Sequence, residues 1–147
     1  MKQRMNIDQA APGIYKAMAA ADKEVKAFEL DPKWKELIRI RVSQINGCGY
    51  CINLHTKDAL KIGETNQRIF ALSAWWETPF FTDEEQASLK LAEAVTRISI
   101  HGVPDKVYEQ ALKWLGEKKL AEVIFVTATI NSWNRIAISM QMVAEKD

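Results

Sequence analysis

Cysteine, proline and glycine are all scarce in this chain, and each scarcity removes a class of structure. Two cysteines in 147 residues exclude a small scaffold held together by several disulfides. Four prolines and six glycines, with no alternating apolar pattern bounded by hairpin turns, exclude a fold of many short strands. Excess charge of one sign is missing too: 20 basic residues face 19 acidic ones and the net charge is +1. No run of about five or six like charges occurs, so a nucleic-acid partner has no electrostatic support. No segment approaches the roughly 20 uncharged apolar residues of a membrane span, and Met1-Lys2-Gln3-Arg4-Met5-Asn6 lacks the apolar stretch of a signal peptide. The expectation is a cytoplasmic protein without a membrane partner, folded as a single domain over residues 1–147, since no repeat, linker or low-complexity tract divides it.

What is present is helical pattern almost throughout, predicting an all-α protomer of six to seven helices. From about Ile7 to Phe28, apolar Ile14, Ala17, Met18 and Ala21 recur at helical spacing, with Pro12-Gly13 as a break near the start. Asp31-Pro32 supplies an N-cap and a proline in the first turn of a second helix, which carries Trp34, Leu37, Ile38, Arg41, Val42 and Ile45 up to Asn46-Gly47. A third begins near Cys48 and stops at Gly63, a residue suited to a left-handed C-terminal cap. A fourth runs from Gln67 to Trp76 before Thr78-Pro79, with Ile69, Phe70, Leu72 and Ala74 on its apolar side. Thr82 and Glu85 form a capping box for a fifth. Pro104 opens a sixth that Gly116 ends. The last helix starts at about Lys119, and its run Val123 to Ile130 is apolar nearly all round, which predicts burial on several sides. A monomer of this size has little room to enclose such a helix and five tryptophans, so a homo-oligomer is expected.

Chemistry concentrates in Cys48-Gly49-Tyr50-Cys51, with His55 four residues beyond the second sulfur and Glu36 on the preceding helix. On one helix Cys48, Cys51 and His55 share a face. A free thiol is mostly protonated at neutral pH, but a helix N-terminus or an adjacent base brings it to about 3.5–7.5, and both aids are available here. His55 stands closer in sequence to Cys51 than to Cys48, so it is the base for Cys51, and Glu36 orients the imidazole or relays its proton. If an oxidant converts Cys51 to a sulfenic acid, Cys48 can condense with it to a disulfide, because Cα atoms three apart on a helix lie within the usual disulfide range of roughly 4.4–6.8 Å. Tyr50 supports the site by a hydrogen bond or by packing.

The order Glu36, Cys48, Tyr50, Cys51, His55, with these spacings, resembles the signature of alkylhydroperoxidase D-like proteins in the carboxymuconolactone decarboxylase family. The lead-in from Leu37 to Arg41, the Leu54-His55 step, Asp83-Glu84-Glu85 and the segment Ile130 to Arg135 extend the likeness over about residues 15–140. The resemblance implies an all-α fold, homo-oligomers such as trimers or hexamers, and peroxidase or disulfide-reductase activity without a cofactor. It implies that Cys51 attacks an organic hydroperoxide or other small oxidant, that Cys48 resolves, and that Glu36 and His55 relay the proton. An unidentified dithiol or lipoyl-type compound would then be the reductant. The decarboxylase branch lacks the cysteine pair, so lactone decarboxylation is not expected.

Rival readings come from the same residues. Two cysteines, a histidine and a carboxylate suit tetrahedral zinc, but one C-x-x-C without a second pair is thin support, and no metal is expected. A non-catalytic redox sensor or adaptor needs the same reactive thiols as a peroxidase. His101, beside Gly102, reads as a surface residue. Trp75 and Trp76 read as core, and Asn131, Trp133 and Arg135 as packing of the last helix with a subunit salt bridge.

Overall fold

Local caps set the helix boundaries in the computed structural model, which describes residues 2–146. After a single turn, α1 (Ile7–Ala10), the chain breaks at Ala11, and Pro12 occupies the first turn of α2 (Pro12–Lys26). A short loop leads to α3 (Pro32–Asn46), whose N-cap Asp31 accepts the Lys33 N–H through Oδ1 at 2.8 Å. That loop is tied down on both sides. Lys35 Nζ donates to the carbonyls of Lys26 and Phe28, and the Glu122 carboxylate accepts the N–H groups of Glu29 and Leu30.

Gly47 ends α3 in the left-handed region at φ 71°, where a side chain would be strained. Cys48 N–H then reaches back to the Ser43 carbonyl at 2.9 Å, and Cys48 itself caps α4 (Gly49–Lys61). One tight turn therefore both closes α3 and places the first cysteine at a helix N-terminus. Next come α5 (Asn66–Ala71) and a 3₁₀ segment, Leu72–Glu77. The expected single helix from Gln67 to Trp76 is thus two pieces, and Phe70, placed on its apolar side by the pattern, is 77% exposed. The capping box of Thr82 and Glu85 opens α6 (Asp83–Thr96) as expected. A further turn, α7 (Ile98–His101), leads to α8 (Asp105–Met140).

The described residues thus hold eight α-helices and form an all-α fold. The count exceeds the expected six to seven because two single-turn helices stand apart, while the expected sixth and seventh helices join as α8. They join across Gly116 alone, the one non-helical residue inside it, at φ 69° and ψ 171°. No helix among the described residues is long and apolar enough to cross a membrane.

The helix buried on all sides is α3, not the last one. Every residue from Lys35 to Ser43 is buried. Ile38 and Val42 join one apolar cluster with Leu91, Val123, Val126 and both cysteines. Leu37 and Ile40 join a second with Leu72, Trp75, Phe81 and Leu89. Side chains buried this completely contribute roughly 1.5–3 kcal/mol each. In α8, by contrast, Val123, Val126 and Ile130 face inward while Phe125 is 60% exposed, so the apolar run covers one face in the protomer rather than several.

Candidate active site

Helices α3 and α4 bring Glu36, Cys48, Cys51 and His55 together. The two cysteines are joined as a disulfide with Cα atoms 5.4 Å apart, and both are almost fully buried, at 1% and 3% exposure. The Cys51 N–H points at Cys48 Sγ at 3.3 Å, as expected for a cysteine in the N-cap position. Reduction would leave Cys48 with a backbone donor and the positive end of a helix dipole, both of which favour a thiolate.

His55 Nδ1 lies 2.7 Å from Glu36 Oε2, and the other carboxylate oxygen accepts Arg39 Nη1 at 2.7 Å. Arg39 is 3% exposed and also reaches Asp22 through Nη2 at 3.2 Å. Lys26 completes this line of alternating charge at Asp22. Burial pushes the Glu36 carboxyl up, but the His55 hydrogen bond and the charges of His55 and Arg39 outweigh it and hold the group below its ordinary value. An ionised carboxylate only accepts, so Nδ1 carries the proton that meets Glu36, and Nε2 is the ring nitrogen left to face the chemistry.

Two cavities adjoin the cysteine pair, each lined by a different one of the two residues. One, of about 270 Å³, is lined by Cys51, His55, Tyr15, Leu54, Asp58 and Trp133 among others. The other, of about 520 Å³, is lined by Cys48, Gly49, Ile138 and the C-terminal residues Met142, Val143 and Ala144 among others. Tyr50, Ala137 and Met142 belong to both walls. Tyr50 is thus shared by the two chambers.

Several site residues went unread in the sequence. Asp58 lies three positions after His55, and Arg39 three after Glu36; the helical spacing that paired Cys51 with His55 would have found both. Trp133, read as packing, lines the Cys51 cavity and stacks edge-on with Tyr15, ring centroids 5.4 Å apart. Asn131 and Asn134 both accept Asn46 Nδ2 at 2.9 Å, and Asn134 donates to Ser43 Oγ at 2.9 Å. They fasten the end of α3, just before the Gly47 turn, to α8. Arg135 donates to Asn131 at both its carbonyl and its side chain. Trp75 is buried with its indole N–H on Glu93, Trp76 is half-exposed above Arg41, and neither lines these cavities. His101 is exposed.

Glu36, His55 and Asp58 place donor atoms within 4.8 Å of one another. A cation there would have to displace the His55 proton and compete with Arg39 for Glu36. The disulfide-bonded cysteines offer it no thiolate, so the zinc arrangement of two sulfurs, a histidine and a carboxylate is not assembled.

Residues 12–94 match the sequence pattern of the carboxymuconolactone decarboxylase family. The chain belongs to that family. As a family member it is 43% identical over 140 residues to the uncharacterized protein YdfG of Bacillus subtilis (strain 168), a match covering 95% of each chain. Its fold superposes with a TM-score of 0.96 on a protein of unknown function from Agrobacterium tumefaciens, suggested to be the antioxidant-defence protein AhpD; the two are 32% identical, over 99% of this chain and 100% of the other. An uncharacterized peroxidase-related protein from Silicibacter sp. TM1040 shares the fold at a TM-score of 0.79 and 22% identity, over 88% of this chain and 69% of that one. On this family's fold, the cysteine pair and the Glu36, His55 and Asp58 cluster make a thiol-based redox site.

Proposed function

We propose that the protein is a thiol-dependent peroxidase acting on organic hydroperoxides, with Cys51 as the attacking thiol, Cys48 as the resolving thiol, and His55 and Glu36 as the proton relay. The observation that carries this reading is that Cys51 and His55 line one cavity while Glu36 holds Nδ1 of that histidine. In the reduced protein His55 Nε2 takes the Cys51 proton, and the thiolate attacks the terminal peroxide oxygen. An S–O bond forms, the O–O bond breaks, and the alcohol leaves with the proton returned by His55. Cys48, stabilised as a thiolate at the start of α4, then attacks the Cys51 sulfenic acid; the disulfide forms and water departs. Tyr15, Leu54 and Trp133 give the cavity an apolar wall suited to an organic group.

Peroxide consumption with cumene hydroperoxide and a recycling dithiol tests the assignment. Cys51→Ser abolishes turnover, whereas Cys48→Ser undergoes one stoichiometric oxidation and stops at a sulfenic acid that dimedone traps. Full turnover by Cys51→Ser removes the reading. A single oxidation of the native protein without recycling transfers it to a redox sensor. A reducing compartment such as the cytoplasm suits a C-x-x-C pair kept for chemistry. The exposed Phe70, Phe125 and Ile138 support a homo-oligomer, which sedimentation at micromolar concentration tests; a strict monomer counts against it.

A further inference from the structure

Helix α2 rests on the protein along one narrow stripe. Of its residues, all but Tyr15, Met18, Asp22 and Val25 are exposed, and these four recur at helical spacing. Val25 joins the apolar cluster that holds both cysteines, and Tyr15 stacks edge-on with Trp133. Asp22 is the one charged member of the stripe. A carboxylate on a face that packs against the protein is costly unless it is paired, and across the helices Asp22 pairs with Arg39, Oδ1 to Nη2 at 3.2 Å. The proton relay of Glu36 and His55 makes no direct use of it.

Building on the reading of His55 as the base for Cys51, we infer that Asp22 is a positioning residue of the thiol chemistry: from α2 it occupies the second arm of Arg39 and so leaves the charge of Glu36 to His55. Arg39 is held at both ends of its fork, Nη1 on Glu36 Oε1 at 2.7 Å and Nη2 on Asp22, and a planar guanidinium fixed at two points does not swing. Its side chain is almost fully buried, so water does little to screen it.

The charges explain why the second carboxylate matters. Asp22 and Glu36 bring two negative charges to one guanidinium. The negative charge left over lies on the side of Glu36 Oε2, which faces His55 Nδ1 at 2.7 Å. When a proton passes from Cys51 Sγ to His55, the imidazolium forms beside that charge. No electron moves and no other bond changes. Without Asp22 the guanidinium draws on Glu36 alone, and the imidazolium forms beside a neutral pair. The other charges near this line are more exposed: Lys26 on Asp22, and Asp58 with its partner Lys61. Water screens them, and they weigh less.

The test uses a Cys48→Ser background, in which Cys51 is the only thiol of the chain. Mass spectrometry follows the reaction of the reduced protein with iodoacetamide at neutral pH, which reads thiolate formation at Cys51. Asp22→Asn keeps the shape and removes the charge, and its expected rate is about tenfold below the parent's, within the coupling range of residues in one ion-pair network. Asp22→Glu keeps the charge and stays within about threefold of the parent. Met18→Ala removes packing from the same stripe but no charge; Met18 is outside the lining of the Cys51 chamber, and this variant stays within about twofold. In a Glu36→Gln background, adding Asp22→Asn lowers the rate by no more than about twofold further, because the route from Asp22 to His55 runs through Glu36.

An Asp22→Asn rate equal to the parent's overturns the inference. A faster rate does so too, since α2 then only covers Cys51. Equal losses with and without Glu36, or a tenfold loss in Met18→Ala, reduce Asp22 to a prop for the helix. Circular dichroism and a cooperative melt establish that each variant is folded. If the double variant does not fold, Asp22→Asn and Asp22→Glu decide the matter, and a loss common to both overturns the inference. Oxidation by cumene hydroperoxide is measured beside alkylation. No reaction with the hydroperoxide while the iodoacetamide order holds removes the peroxidase reading and leaves the role of Asp22 standing.

Discussion

His55 Nδ1 and Glu36 Oε2 lie 2.7 Å apart although the residues are 19 positions apart and on different helices. This contact fixes the tautomer of the histidine and directs its other nitrogen to chemistry. It also gives the carboxyl a lowered pKa, opposed by burial and won by His55 and Arg39.

Replacement of this carboxylate has two expected consequences. In Glu36→Gln the imidazole loses its charged partner, and the rate of Cys51 oxidation by hydroperoxide falls about 10²-fold, the low end of the range for general acid–base catalysis. Stopped-flow oxidation of the reduced protein measures it. Stability changes with pH as well. A carboxyl whose folded pKa is lowered stabilises the native state above its unfolded pKa and loses that contribution as pH falls through the folded value. The native protein therefore loses stability below about pH 4, the ordinary carboxylate range, and Glu36→Gln shows a shallower decline there. Urea unfolding of both proteins between pH 6 and 3 decides it; parallel curves contradict the assignment.

Arg39 joins Glu36 to Asp22 from a position that is 3% exposed. Arg39→Ala leaves the Glu36 carboxylate buried without its cation, and the expected loss is about 3–5 kcal/mol. Arg39→Lys recovers only part of it, because one ammonium does not reproduce a planar fork spanning two carboxylates. Chemical denaturation of the three proteins at neutral pH gives the order directly, and an unchanged midpoint for Arg39→Ala sinks the prediction.

Gly116 interrupts α8 at φ 69° and ψ 171°, backbone that essentially only glycine adopts. Space does not forbid a side chain, since a Cβ would meet nothing within 4 Å. Gly116→Ala is therefore expected to cost about 1–3 kcal/mol through backbone strain alone. A fall in Tm by calorimetry checks it, and a stabilised variant would show that the helix runs straight through at no penalty.

The helix starts were legible in the sequence because caps are local. Asp31 with Pro32, Thr82 with Glu85, and Gly47 at the end of α3 act within one turn of the backbone they satisfy. The shared face of Cys51 and His55 was legible for the same reason. The burial of α3 was not. Lys35, Glu36, Arg39 and Arg41 are residue types that water ordinarily solvates, yet all four are buried. Their partners, among them the carbonyls of Lys26 and Phe28, Asp22 and Glu93, come from elsewhere in the chain. Conversely, the run around Phe125 looked buried on several sides and in the protomer is buried on one, because apolar character alone does not say how many neighbours arrive.

Local pattern was enough for an all-α chain, a dithiol at a helix start and a histidine one turn beyond it, since each is a matter of spacing and capping within a few residues. That Glu36 grips His55, that Arg39 grips Glu36, and that Cys48 and Cys51 line different chambers follows from the packing of the helices. Those relationships join atoms on separate helices, and their geometry depends on how α3, α4 and α8 pack, which no local pattern encodes.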